Sequence, residues 1–187
     1  HAARFLSEQG AVLVGVADSQ GTVSNPEGLD VAALIALKQA GKKVTDLAGA
    51  EVLDRDAVIG LACDIWIPAA RPDVVHDENV QQLKTRLVAQ GANIPFTAGA
   101  EKYLHEQGIL CLPDFIANAG GVICAAKEYQ GSSETAAFQA IAEKIQRNTK
   151  EVLAAAKKDN LLPREAAVQL ARRRLEKAMG FRRWNLF

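Results

Sequence analysis

The chain has 187 residues, 49% of them hydrophobic and 24% charged, with Lys+Arg and Asp+Glu equal at 22 each. That length and apolar content suit one domain, or one domain with a helical appendage, and the zero net charge excludes a global field drawing the chain to nucleic acid or an anionic membrane. The cysteines Cys63, Cys111 and Cys124 lie far apart among apolar neighbours, as reduced thiols do; no apolar run nears the ~20 residues of a bilayer span and the N-terminus lacks a signal-peptide pattern, so a cytoplasmic location is expected.

The opening HAARFLSEQ has a helical period and stops at Gly10, suited to a left-handed cap. A continuous apolar run from Ala11 to Asp18 follows, the pattern of a strand buried on both faces of a parallel sheet. GTVSNPEGLD is turn-rich, and its Asp30 can cap a helix over VAALIALKQA that closes at Gly41. Short strands are predicted in CDIWIPAA (63–70), ending at Pro68, and in RLVAQGAN, ending at Gly91-Ala92-Asn93. Thr97 can cap a helix through AEKYLHEQ that Gly108 ends, and ILCL (109–112) is a further strand before Pro113.

Short apolar strands alternating with helices of about ten residues predict an α/β fold with a Rossmann-like, mostly parallel sheet and helices on both faces. After Ile116 the pattern changes to three helical stretches with no strand between them, the last starting at Pro163 and ending at Gly180. Residues 1–130 therefore read as a dinucleotide-binding domain and 131–187 as a C-terminal helical hairpin; the tail FRRWNLF is too short to read.

In an open parallel sheet, ligands lie at the carboxyl ends of the strands. Those ends carry Asp18 and Ser19, then Pro68-Ala69-Ala70, then Gly91-Ala92-Asn93, then Asp114 onward to Asn118-Ala119-Gly120-Gly121. Small residues there admit a flat ligand close to the backbone, and an acid after the second strand is placed to hydrogen-bond adenosine ribose hydroxyls and repel a ribose phosphate. Asp18 is also a good turn former, and Asn93 and Asn118 good caps or turn residues. The glycine pair suits either a close ligand or tight packing. No G-x-G-x-x-G occurs, although helix, strand and acid follow in the order that such a loop precedes. The expectation is that the first strand and its glycine loop lie upstream of His1.

Cysteines and histidines lack the close pairing of a metal site, and His76 and His105 read as surface residues. Arg172-Arg173-Arg174 with Arg182 and Arg183 read as a solvated helix face rather than a nucleic-acid surface.

The segment LVAQGANIPFTAGAEKYLHEQGILCLPDFIANAGGVICAAKEY resembles the stretch shared by glutamate, leucine, phenylalanine and valine dehydrogenases, where G-A-N-x-P-x-T precedes P-D-x-x-A-N-A-G-G-V; VGVADSQGTVSNPEGLD and CDIWIPAA resemble two further family segments in the same order. The resemblance implies NAD- or NADP-dependent oxidative deamination of an L-amino acid to a 2-oxo acid and ammonia. It implies that Asp18 and Ser19 meet the adenosine ribose, that Ala69 and Ala70 line the cofactor, that Asn118 holds the nicotinamide end, and that Asn93 orients substrate or nicotinamide.

In the family the catalytic lysine and aspartate lie in an N-terminal domain upstream of these segments. No catalytic residue is therefore expected in this chain, which by itself should be inactive, and a homo-oligomer is expected of the intact enzyme. Ala125 stands where glutamate dehydrogenases place a serine for the substrate side-chain carboxylate. Since a methyl cannot hydrogen-bond a carboxylate, glutamate is the substrate by family, with an apolar amino acid left open. Asp18 favours NAD over NADP. The rival reading is a catalytically silent nucleotide-binding or oligomerisation module.

Overall fold

The structure, a computed structural model, describes residues 1–181; Arg182, Arg183 and the rest of the tail lie outside the described residues. Helix α1 (Ala2–Glu8) ends in Gly10 at φ 89°, where the Ala11 N–H donates back to the Leu6 carbonyl at 3.0 Å. A side chain there would meet the left-handed penalty, which glycine avoids. Strands β1 (Gly15–Asp18) and β2 (Gly21–Ser24) then form an antiparallel hairpin, and β3 (Glu51–Leu53) pairs antiparallel with β2, in the order β1-β2-β3.

The strand predicted over 11–18 is thus shorter, half-buried and antiparallel to its neighbour. Two connecting residues can only return the chain antiparallel, since a parallel crossover needs a dozen or more. Strand β2 lies inside the stretch that reads as turn-rich, yet all four of its residues are buried. Its polar members are tolerated because each hydroxyl finds a partner. Thr22 Oγ1 donates to the Arg55 carbonyl at 2.7 Å, and Ser24 Oγ donates to Glu51 Oε2 at 3.2 Å.

Helix α2 (Val31–Gln39) starts where Asp30 Oδ1 accepts the Ala33 N–H at 2.9 Å. Val23, Leu29, Leu34 and Val44 form the core of this first unit, which comprises His1–Cys63 with Gln82–Lys84.

The second unit, Asp64–Gln81 with Thr85 onward, contains the parallel sheet. Strands β4 (Ile65–Trp66), β5 (Leu87–Ala89) and β6 (Leu110–Leu112) lie in the order β4-β5-β6, all parallel. Helix α3 (Ala98–Glu106), capped by Thr97, supplies the crossover from β5 to β6 and packs on β6. In the same unit Trp66 meets Phe96 edge-on, with ring centroids 6.1 Å apart.

The remaining elements are helical: α5 (Gly120–Tyr129), α6 (Glu134–Asp159) and α7 (Pro163–Gly180) are the three stretches the sequence predicts, and α4 (Asp114–Ala117) is a further short helix that the sequence reading did not separate from the strand end. Ser133 caps α6, Asn160 closes it at φ 51°, and Pro163 occupies the first turn of α7. Ile116, Val152, Ala156, Ala166 and Ala167 form the core where α4, α6 and α7 meet. The α/β class with a parallel sheet and a helical C-terminal region is as the sequence leads one to expect. No helix among the described residues is long and apolar enough to cross a membrane.

Candidate functional site

In the first unit, Asp18 ends β1 half-buried, with Ser19 exposed beside it. Its Oδ1 accepts the Gln20 N–H at 2.9 Å, closing the hairpin turn. Its Oδ2 accepts the Val44 N–H at 3.1 Å and faces the Lys38 ammonium at 2.9 Å. Burial raises the pKa of this carboxyl, but Lys38 and the N–H groups of Gln20 and Val44 outweigh it and hold the group below its ordinary range. Lys38 is a partner the sequence did not flag. It sits 20 residues away on α2, and nothing in local periodicity turns that lysine toward the hairpin.

In the second unit, the segments following the parallel strands are tied together. The Pro68 carbonyl, after β4, accepts the Gly91 N–H at 3.0 Å and the Ala92 N–H at 2.7 Å, both after β5. A Cβ on Gly91 would stand 3.3 Å from that carbonyl and 3.6 Å from the Ala69 Cβ, so glycine permits the close approach. Ala69 and Ala70 are exposed. Asn118, at the end of α4, donates from Nδ2 to Asn93 Oδ1 at 2.8 Å and more weakly to the Gly91 carbonyl at 3.4 Å. Three of the segments singled out in the sequence therefore meet at the carboxyl ends of β4, β5 and β6, where a parallel sheet places ligands.

Ala125 lies exposed on α5 and is not among the residues this hydrogen-bonded group joins. Gly121 has open space beyond it and Gly120 makes only ordinary contact with Ile141, so neither glycine marks a tight backbone approach. Among the described residues no group of His, Cys, Asp and Glu could hold a metal ion.

Behind the strand ends lies a buried polar network that sequence reasoning missed. Arg164, in the first turn of α7, forks onto Glu101: Nε reaches Oε2 at 2.6 Å and Nη2 reaches Oε1 at 2.7 Å. Arg164 Nη2 also donates to Gln90 Oε1 at 3.0 Å and stands 3.0 Å from Asp114 Oδ1, close enough for an ion pair though off the hydrogen-bond axis. Gln90 donates to Glu101 at 2.5 Å and to Cys111 Sγ at 3.2 Å. Asp114 Oδ2 accepts the Ile94 N–H at 2.9 Å.

Burial raises the Asp114 pKa, but the Ile94 N–H and the Arg164 guanidinium more than offset this and keep the carboxyl below its usual value. Burial pushes the Cys111 thiol up to about 12. The available signal was a glutamine and a glutamate at positions that patterning makes internal, since buried polar groups need partners; the partner is 74 residues from the glutamine and 63 from the glutamate.

Short parallel strands with small residues and paired asparagines at their carboxyl ends define the class: an α/β protein with a Rossmann-like parallel sheet. The chain belongs to the glutamate/leucine/phenylalanine/valine dehydrogenase family, whose profile matches residues 1–183. It is 36% identical over 195 residues to a glutamate dehydrogenase of Aeropyrum pernix, covering 98% of this chain and 46% of that protein. It is 35% identical over 195 residues to an NADP(+)-dependent glutamate dehydrogenase of Pyrobaculum calidifontis, with the same coverage of 98% and 46%. The chain thus spans about half the length of these curated relatives. Among solved structures, it resembles the hetero-hexameric glutamate dehydrogenase of Thermus thermophilus in its Leu-bound form, with TM-score 0.83 and 26% identity over 98% of this chain and 44% of that one.

Proposed function

We propose that this chain is the nucleotide-binding part of an amino-acid dehydrogenase that uses a nicotinamide dinucleotide to deaminate an L-amino acid, glutamate by family, to a 2-oxo acid and ammonia. The observation that carries the reading is the junction of Pro68-Ala69, Gly91-Asn93 and Asn118 at the carboxyl ends of the parallel strands. A nicotinamide held by Ala69, Ala70, Asn93 and Asn118 would supply the acceptor for hydride from the substrate α-carbon. The residues here bind and orient; general acid-base work falls to a catalytic domain outside this chain, and the intact enzyme is a homo-oligomer.

The residues fit such a group. A carboxylate has about four acceptor positions, and Asp18 uses three of them on Gln20, Val44 and Lys38, leaving one for a ribose hydroxyl, with Ser19 exposed alongside. Exposed Ala69 and Ala70 present methyl groups against which a flat ring can lie. Asn118 gives an amide hydrogen to Asn93, so the pair retains the Asn118 carbonyl as acceptor and the Asn93 amide as donor. That pattern complements a carboxamide. Asn93 orients the substrate or nicotinamide, and Ala125, carrying no polar atom, leaves the substrate side chain without a hydrogen bond at that point.

Asp18 alone would repel a ribose 2′-phosphate, but Lys38 at 2.9 Å neutralises it. The pair therefore favours NAD less than a lone acid would, and NADP is accepted as well. Titration of NADH and NADPH into the chain, followed by nucleotide fluorescence, tests this. Asp18→Ala should weaken NADH, and Lys38→Met should raise the NADH/NADPH affinity ratio by about tenfold, the value of about 1.4 kcal/mol. Steady-state deamination of glutamate, leucine, valine and phenylalanine by the full-length gene product tests the reaction. Absence of turnover by folded protein with every substrate and both cofactors would favour a silent nucleotide-binding module.

A further inference from the structure

Ile94 follows Asn93 directly, adopts φ 48° and is 59% exposed. A β-branched residue in the left-handed region is a genuine conformational outlier. Such strain persists only where the surroundings over-determine the backbone.

The surroundings are visible on both sides of the peptide. The Ile94 N–H donates to Asp114 Oδ2 at 2.9 Å, and its carbonyl accepts the Asp73 N–H at 2.9 Å. Asp73 itself is left-handed, at φ 50°. Asp114 is almost fully buried and is fixed at three points. Its N–H donates to Gln90 Oε1 at 3.2 Å, its Oδ1 faces Arg164 at 3.0 Å, and its carbonyl accepts the Asn118 N–H at 2.7 Å. Arg164 is in turn locked by its fork on Glu101. One residue thus bonds Asn118 itself and the neighbour of Asn93: its carboxylate accepts from Ile94 in the turn that presents Asn93, and its carbonyl holds the end of the helix that presents Asn118.

We propose that Asp114, anchored by Arg164, is a positioning residue for the Asn93–Asn118 pair, holding the Ile94 turn in its left-handed form so that the two side-chain amides meet. What the pair then serves rests on the function proposed above; the positioning itself does not.

The test uses the whole 15N-labelled chain without nucleotide, reading exchange of the Ile94 amide hydrogen and the side-chain NH2 resonances of Asn118. Asp114→Asn removes the charge that faces Arg164. It should speed Ile94 exchange tenfold or more and shift the Asn118 NH2 pair, leaving the Val23 amide in the first unit unchanged. Arg164→Lys, which retains the half-buried positive charge but not the fork, should do the same at both reporters and carries the test if Asp114→Asn does not hold its fold.

Adding Ile94→Gly removes the left-handed penalty, so in either background it should return the Asn118 NH2 resonances toward their original positions. A residue that merely stabilised the fold would not be rescued by a surface glycine. Unchanged Ile94 and Asn118 signals in a folded variant, or no rescue by glycine, would overturn the proposal. Failure of NADH to bind the unmodified chain would instead defeat the functional reading and leave this result standing.

Discussion

Replacing Arg164 by methionine would leave Glu101 and Asp114, whose side chains are 8% and 9% exposed, both without their cation. Breaking a buried ion pair by deleting one partner costs about 3–5 kcal/mol, because the remaining charge keeps its desolvation penalty. Arg164 itself is 31% exposed, so water reaches part of its guanidinium and the lower end applies, about 3 kcal/mol. With a urea m-value of about 2 kcal/mol/M, the midpoint should fall by about 1.5 M at unchanged m.

The assay is urea unfolding at pH 7 followed by fluorescence in a Trp184→Phe background, so that the signal reports Trp66 packed against Phe96. Adding Glu101→Gln should recover about 1 kcal/mol or more, by removing one of the stranded charges. The gap between Arg164→Met and the parent should also narrow on acidification, since Asp114 without its cation takes up a proton more readily. A midpoint shift below about 0.5 M, or a gap indifferent to pH, would refute the reasoning.

Asp18 and Asp114 are both held below the ordinary carboxyl value of 3.8, Asp18 facing Lys38 and Asp114 facing Arg164 with Glu101 beyond it. Depressed carboxyl pKa values mean stability that is fully present above the unfolded value and lost as pH falls through the folded one. Urea midpoints measured downward from pH 7 should therefore drop below about pH 4, and less steeply in Asp18→Asn and Asp114→Asn; an identical drop in both variants would contradict the assignment.

Cys111, buried and with its thiol pushed up to about 12, should resist iodoacetamide at pH 8 in the native chain and react fully in guanidinium, as followed by peptide mass spectrometry. Labelling at the rate of a free thiol would show the site to be open. Gly21→Ala would place a Cβ 2.7 Å from Thr45 Cγ2 and 3.2 Å from the Leu53 carbonyl, and should destabilise by about 1–3 kcal/mol in the same unfolding assay. A neutral result would mean that β3 moves aside freely.

The features legible in the sequence are those set by neighbours in the chain. Asp30 and Thr97 cap helices because their side-chain oxygens meet N–H groups three residues on. Gly10, Gly41 and Gly108 close helices because glycine avoids the penalty that the left-handed turn imposes on side chains. The parallel strands and their loop ends fall where apolar runs meet proline and glycine, and the ordered family segments locate Asp18, Asn93 and Asn118.

Strand β2 was hidden because its threonine and serine are satisfied only by Arg55 and Glu51, groups brought near by folding. Likewise no periodicity couples Asp18 to Lys38, or Arg164 to Glu101, Gln90 and Asp114. Local propensity decides where elements start and stop, through energies that depend on a few adjacent residues. The electrostatics of the strand ends, and the strain at Ile94 that one buried carboxylate sustains, depend on which distant charges the tertiary structure removes from water together.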